Sequence, residues 1–257
     1  MSKKKALIVY YSQSGQMKDI LDSVCSPMKD TFELRFEKLR CKPEFPFPWK
    51  GISFFQSFPE SVQEIPCELE DFSFDPEEDY DLVILGYSPW YLSPSIPMTS
   101  FLQSSEAAKV LKGKPVITVL GCRNMWIQAQ ERVKARIHAL GGMLRGNIVL
   151  NDTHHNLVSV ITIVHWMSSG KRHGGGLYGR LFPEAGVSGS DIQRASVFGS
   201  CIRRAFEKNS LDSLQQSLLE EGAVKIKPVL MTVEKRGKML FGPWSRLVQK
   251  KGRARDP

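Results

Sequence analysis

The run Ala6-Leu7-Ile8-Val9-Tyr10-Tyr11, followed at once by Ser12-Gln13-Ser14-Gly15, constrains the fold more than any other feature of the chain. A short, uninterrupted apolar run predicts a strand covered on both faces, as in a parallel sheet packed between layers of helices. Beyond the turn, Ile20, Leu21, Val24 and Met28 recur at helical spacing, so the strand feeds directly into an amphipathic helix. The buried-strand pattern returns at Leu82 to Gly86, at Pro115 to Leu120 and, more briefly, at Asn147 to Leu150. Phe32, Leu34 and Phe36 alternate with charged residues and predict a strand towards the sheet edge. Trp126, Ala129, Val133, Ile137 and Leu140 form one helical stripe that Gly141-Gly142 ends. A later helix runs through Ile192, Ala195, Phe198, Ile202 and Phe206, with Ser188 or Ser190 as its cap.

Strands alternating with helices predict an α/β fold with a doubly wound parallel sheet. Five strands favour the flavodoxin-like order 2-1-3-4-5 over the six-stranded dinucleotide-binding order. Neither G-x-G-x-x-G nor a Walker pattern follows the first strand, which argues against NAD-Rossmann and P-loop readings. The expected domain spans residues 1–208. Two insertions interrupt it. The first, residues 42–79, is rich in Pro and Phe and long enough to act as a lid. The second, residues 152–189, reads as a loop carrying His154-His155 and Gly174-Gly175-Gly176. Residues 209–257 form a basic C-terminal extension.

The formal charge of +8 is matched by the last part of that extension alone: from Ala223 to Pro257 there are ten Lys or Arg against Glu234 and Asp256, or 10 − 2 = +8. No basic face with a nucleic-acid-reading motif is evident, so nucleic acid is not an expected partner. A basic segment containing Met239, Leu240, Phe241, Trp244, Leu247 and Val248 suits an anionic membrane surface or an acidic partner, unless it is simply a solvated, poorly ordered terminus. The longest apolar run, Leu157 to Met167, is too short to span a bilayer and predicts a buried strand or helix. The basic start does not lead into a signal-peptide pattern. Five cysteines with no C-x-x-C pair suggest reduced thiols without a disulfide frame or a metal knuckle, hence a cytoplasmic protein. Peripheral contact at the inner membrane face and a homodimer are left open.

In an open α/β sheet, ligands sit beyond the carboxyl ends of the strands, near the point where the strand order reverses. Three loops there carry the candidate chemistry. Ser12, Gln13, Ser14, Gly15 and Gln16 offer hydroxyls, backbone N–H groups and a helix N-terminus, which together cradle a phosphate without lysine; Ser and Gly also serve as plain turn formers. Ser88, Pro89, Trp90, Tyr91 and Leu92 follow the third strand. Their aromatics either stack on a planar ligand or cover the core beneath the lid. Gly121, Cys122, Arg123, Asn124 and Trp126 offer backbone donors and a fixed cation, Arg123, for an anionic ring or an enolate. A surface salt bridge is the alternative role for Arg123. Cys122 has no activating His placed by the sequence. His154 or His155, next to the fifth strand, could act as a base near neutral pH, and no third ligand accompanies them for a metal.

The first loop resembles the flavodoxin phosphate motif S-x-T-G-x-T: Ser12, Ser14 and Gly15 match, with Ser14 for Thr, while Met17 replaces the last hydroxyl and removes one phosphate contact. Over residues 5–206, the Tyr10-Tyr11-Ser12-Gln13 start, Phe45-Pro46-Phe47-Pro48-Trp49, Ser88-Pro89-Trp90-Tyr91-Leu92-Ser93-Pro94 and Gly121-Cys122-Arg123-Asn124-Met125-Trp126 resemble the flavodoxin-like dialkylresorcinol condensing enzymes of aryl-polyene and flexirubin pigment clusters. That resemblance implies a flavoprotein oxidoreductase: an FMN-dependent aromatase that oxidises a dialkyl cyclohexanedione-type ring supplied by a ketosynthase partner. It also implies a hydrophobic substrate, with Arg123, His154 and Tyr91 as the catalytic candidates. An oxidised flavin accepts a hydride while a base takes the proton. An NAD(P)H:quinone reductase-like flavoprotein and a cofactor-free flavodoxin-fold binding protein remain as alternatives.

Overall fold

The computed structural model describes residues 3–50, 53–152, 156–175 and 180–250. Five parallel strands, β1 (Lys4–Tyr10), β2 (Phe32–Lys38), β3 (Leu82–Tyr87), β4 (Pro115–Cys122) and β5 (Met143–Asn151), form one sheet in the order 2-1-3-4-5. This is the expected flavodoxin-like arrangement, with β2 at one edge. The register explains why β1 reads as a continuous apolar run. It lies between β2 and β3, with Ala6 opposite both Leu34 and Leu82. Its alternate residues enter two different cores. Ala6, Ile8 and Tyr10 pack with α1 (Gln16–Cys25) and, further along the chain, α7 (Ser196–Glu207). Leu7, Val9 and Tyr11 pack on the other face. That face is covered by α3 (Ile96–Phe101), α4 (Ser105–Leu111) and α5 (Ile127–Ala139). Full burial of each such Leu, Ile or Val contributes roughly 1.5–3 kcal/mol. The two-faced sheet is therefore the main store of stability.

The lid insertion carries α2 (Phe58–Gln63) and a two-residue antiparallel ladder in which Cys41 faces Leu69. A disulfide joins Cys41 and Cys67, whose Cα atoms lie 6.3 Å apart. It corrects the expectation of uniformly reduced thiols, because the ladder brings together cysteines 26 residues apart in sequence. Cys25, Cys122 and Cys201 are free.

The second insertion is not simply a loop. It contains α6 (Asn156–Ser169), a mostly apolar helix in which Ser159, Thr162 and His165 recur three residues apart. Ser188 is the cap ahead of Ile192, accepting from the Asp191 N–H at 3.1 Å. Packing of the sheet also continues past residue 208. Leu214 and Leu218 of α8 (Leu214–Glu220) are buried in the core, and the Ala223 carbonyl accepts from the Val149 N–H at 2.8 Å. The basic segment is then one helix, α9 (Pro228–Lys250), laid against α2 and α5. No helix among the described residues is long and apolar enough to cross a membrane.

Candidate functional site

A cavity of about 530 Å³ opens beyond the carboxyl ends of β1, β3 and β4, at the reversal between β1 and β3. Its floor is the loop between β1 and α1. Gly15 takes φ 91°, a left-handed turn that a side chain would strain, and caps α1 so that the unpaired N–H groups of the first turn face the cavity end of the sheet. The Ser12 hydroxyl is buried beside the cavity with no hydrogen-bond partner among the described residues. A buried hydroxyl left unpaired costs about 1–3 kcal/mol, so this atom is suited to an incoming polar ligand.

The two glutamines of the loop do a different job. Gln13 donates from Nε2 to the Pro46 carbonyl at 3.0 Å, pinning the lid. Gln16 exchanges two hydrogen bonds of 3.1 Å with the backbone of Val187, pinning the second insertion. Ser12 and Ser14 line the cavity beside these two anchored glutamines. Met17, at the position of the missing hydroxyl, is buried in the core with Ile20 and Leu21.

The second loop forms a wall. Trp90 is only 7% exposed and meets Tyr11, Phe45 and Trp49 edge to face at 5.0–5.8 Å. Trp90 thus packs in the core beneath the lid and also lines the cavity. Tyr91 and Leu92 both hold positive φ, 49° and 64°, in the tight turn between two-residue strands at Pro89–Trp90 and Ser93–Pro94. The Tyr91 hydroxyl donates to the Phe54 carbonyl at 2.7 Å, and burial pushes its pKa well above the ordinary phenol value. Through this bond Tyr91 anchors Phe54 of the lid while its side chain lines the cavity. Ser88, Pro89 and Leu92 line the same wall.

From the third loop, Gly121, Cys122 and Arg123 reach the cavity. The half-buried Arg123 guanidinium has its pKa lowered by burial, against the opposing pull of the Asp152 carboxylate. An arginine stays charged under such a shift and supplies a fixed cation. The Cys122 thiol lies 2.8 Å from Asn151 Oδ1, and burial drives its pKa far up, which removes it as a thiolate nucleophile. Asn124 and Trp126 do not line the cavity, contrary to the expectation for a ligand shell. Both are buried beneath the loop, where Asn124 Oδ1 accepts from Lys227 Nζ at 3.4 Å and the Trp126 N–H donates to Glu234 at 3.0 Å. Met125 lines the cavity instead. His154 and His155 lie outside the described residues.

Three walls were not foreseen as site residues: Phe47 and Phe54 from the lid, Ile163, Val164, Trp166 and Met167 from α6, and Val233, Gly237 and Phe241 from α9. The last three recur at i, i+4 and i+8, a helical signal available in the sequence but hidden by the surrounding charge. Gly237 permits the closest approach, since a Cβ there would sit 2.9 Å from Leu92 Cδ1. Glu234 fixes the position of α9. Its carboxylate is buried and accepts from the N–H groups of Trp126 at 3.0 Å, Ile127 at 3.4 Å and Gln128 at 2.9 Å. It caps α5 from another part of the chain, satisfying donors that helix cannot pair itself. Chemically, the cavity combines among the described residues a polar floor, the Arg123 cation and broad apolar walls, the composition of a cofactor or small-ligand site.

No protein-family model matches the sequence, and no curated protein matches it. Solved structures with similar topology include a flavoprotein of Lactobacillus acidophilus NCFM in complex with FMN, at 19% identity over 57% of this chain and 93% of that one, TM-score 0.47. A flavoprotein of Bacteroides uniformis aligns at 16% identity over 65% of this chain and 100% of that one, TM-score 0.46. A flavodoxin from the domain Archaea aligns at 12% identity over 79% of this chain and 99% of that one, TM-score 0.42. Likeness at this level carries no argument about chemistry, and the strand order alone establishes the flavodoxin-like fold.

Proposed function

We propose that this chain is an FMN-binding flavoprotein that oxidises a hydrophobic cyclic dione, the aromatase step of dialkylresorcinol synthesis. The observation that carries the FMN assignment is the buried, unpartnered Ser12 hydroxyl beside the first turn of α1, at the polar end of an otherwise apolar cavity. A phosphate fits that end, held by Ser12, Ser14 and first-turn N–H groups. An isoalloxazine ring fits the apolar part between the Ser88–Leu92 and Gly121–Arg123 loops.

Bound FMN supplies a two-electron acceptor; the chain's own residues must orient the substrate and manage its proton. Phe54, Val164 and Phe241 exclude water and receive alkyl chains. Arg123 stabilises the oxygen of the dione as its ring loses a proton. That same placement would suit a quinone-type substrate, so the ring chemistry rests on the sequence resemblance. Two observations favour a cofactor-free binding protein instead: Met17, packed in the core and apolar where it lines the cavity, stands where the phosphate motif has a hydroxyl, and the Gln13 and Gln16 amides are spent on protein contacts.

The test is an absorption spectrum after incubation with FMN and desalting. Retained flavin bands are expected, with about tenfold weaker retention in Ser12→Ala, the order of one lost charge-assisted hydrogen bond. A dialkyl cyclohexanedione should then bleach the flavin anaerobically, and Arg123→Ala should slow that step while leaving retention intact. A protein that stays colourless favours the binding-protein reading. Flavin that NADPH reduces rapidly, and the dione does not, favours a reductase.

A further inference from the structure

We infer that α9 is a docking surface for an anionic lipid bilayer and that the cavity opens towards that surface. At roughly 100° per residue, Val229, Val233, Leu240, Trp244 and Leu247 fall within an arc of about 60° on α9. Each of the five is at least 48% exposed. The adjoining arc carries Lys235, Arg236 and Arg246, all exposed. The helix has a single acid, Glu234, and it is turned inward to cap α5, so the solvent face of α9 carries positive charge alone. An apolar stripe bordered by Lys and Arg, with a tryptophan in it, is the pattern of a helix lying in the bilayer interface. Basic side chains there meet anionic headgroups while the stripe enters the acyl boundary.

The second observation is where the stripe leads. Val233 belongs both to the exposed stripe and to the cavity wall, and across the mouth Val164 of α6 is likewise exposed while lining the same cavity. The rim is therefore apolar on both sides, as needed for a ligand that arrives from lipid and never crosses water. An acidic protein partner would use the basic arc but would leave the stripe wet. A second copy of this chain would have to bring its own basic α9 against this one.

The experiment is flotation of the full chain with vesicles of phosphatidylcholine alone and of phosphatidylcholine with about 30% phosphatidylglycerol, a composition that gives the surface negative potential. Binding to the anionic vesicles alone is expected. It should fall about tenfold or more in K235E/R236E/R246E, given the contribution of each basic residue near such a surface. Brominated lipids should quench the fluorescence of Trp244, which is 60% exposed, whereas Trp49, Trp90, Trp126 and Trp166 are each at most 8% exposed. W244F should abolish that quenching, so the wild-type chain alone tests the geometry if a charge variant misfolds. Failure to bind anionic vesicles, binding without quenching, or a concentration-dependent dimer that protects Trp244 would each overturn the proposal.

Discussion

Glu234 shows how much one residue can organise. A carboxylate is rarely buried, yet this one is 0% exposed because three N–H groups at the start of α5 have no other acceptor. Removing it leaves those donors buried and releases α9. Glu234→Ala is therefore expected to cost about 2–3 kcal/mol in urea unfolding, combining a lost cap with lost charge-assisted bonds. A cost under about 0.5 kcal/mol, the range of a plain surface substitution, would refute the capping role. Burial raises the Glu234 pKa above the ordinary 4.5, against the three N–H groups, which pull it down. The folded state thus holds this proton more tightly than the unfolded chain. The stabilisation it brings is complete below the ordinary value and is lost as pH rises through the raised one. Melting curves of wild type and Glu234→Gln should accordingly diverge: as pH rises above 4.5, wild type loses stability relative to the amide variant. A constant gap across that range would show that the group does not titrate there.

At the scale of elements, α5 ties the lid to the sheet. Arg132 pairs with Glu64 at 2.8 Å and also donates to the Val62 carbonyl at 3.1 Å and the Ser93 hydroxyl at 2.9 Å, all largely out of water. Glu64 ends α2 in a left-handed turn at φ 55°, so the lid helix finishes on this clamp. Arg132→Ala should speed amide exchange across residues 58–66 by about tenfold or more, the equivalent of roughly 1.4 kcal/mol, without changing exchange in β1 or β4. Unchanged lid exchange would mean that the aromatic contacts alone hold it. The elements of the sheet were legible because a strand buried on both faces must be apolar throughout, as in Ala6–Tyr11 and Leu82–Gly86. The α6 run Leu157–Met167 was legible only as a buried strand or helix, because it is short and apolar apart from Ser159, Thr162 and His165, whose spacing of three is the one helical sign in it. In α9 the inward positions Leu230, Glu234, Gly237 and Phe241 have the right spacing. An acid and a glycine among them disguise the stripe, and only docking against α2 and α5 gives each a purpose. The candidate loops could be named because their place follows from strand order. Which side chains they turn inward depends on partners as distant in sequence as Glu234 and Val187.

For the whole molecule, the consequence is a site assembled around one sheet end from the loops after β1, β3 and β4 together with the lid, α6 and α9. The floor belongs to β1 and α1, and the roof comes from the lid, α6 and α9, with the lid packed directly on both helices: the Trp49 N–H donates to the Met167 carbonyl at 2.7 Å and Phe58 meets Phe241 edge to face at 5.2 Å. A ligand that fills the space should tighten these coupled covers together, since all three line the same cavity. Amide exchange with FMN present is expected to slow in residues 45–58, 161–169 and 229–241 as well as at the loop after β1, while β4 and β5 change little. Unfolding should shift by about 2.7 kcal/mol at a hundredfold excess over Kd, as linkage requires of a ligand that binds only the folded state. If protection appeared only near Ser12–Met17, the flavin would be held by its phosphate alone and the covers would belong to a later ligand. In that event, adding a dialkyl cyclohexanedione to the FMN-loaded protein should slow exchange in the lid, α6 and α9. The order in which the covers close would thereby separate cofactor binding from substrate capture, and a mouth lined by Val164 and Val233 would be the part that responds to the substrate.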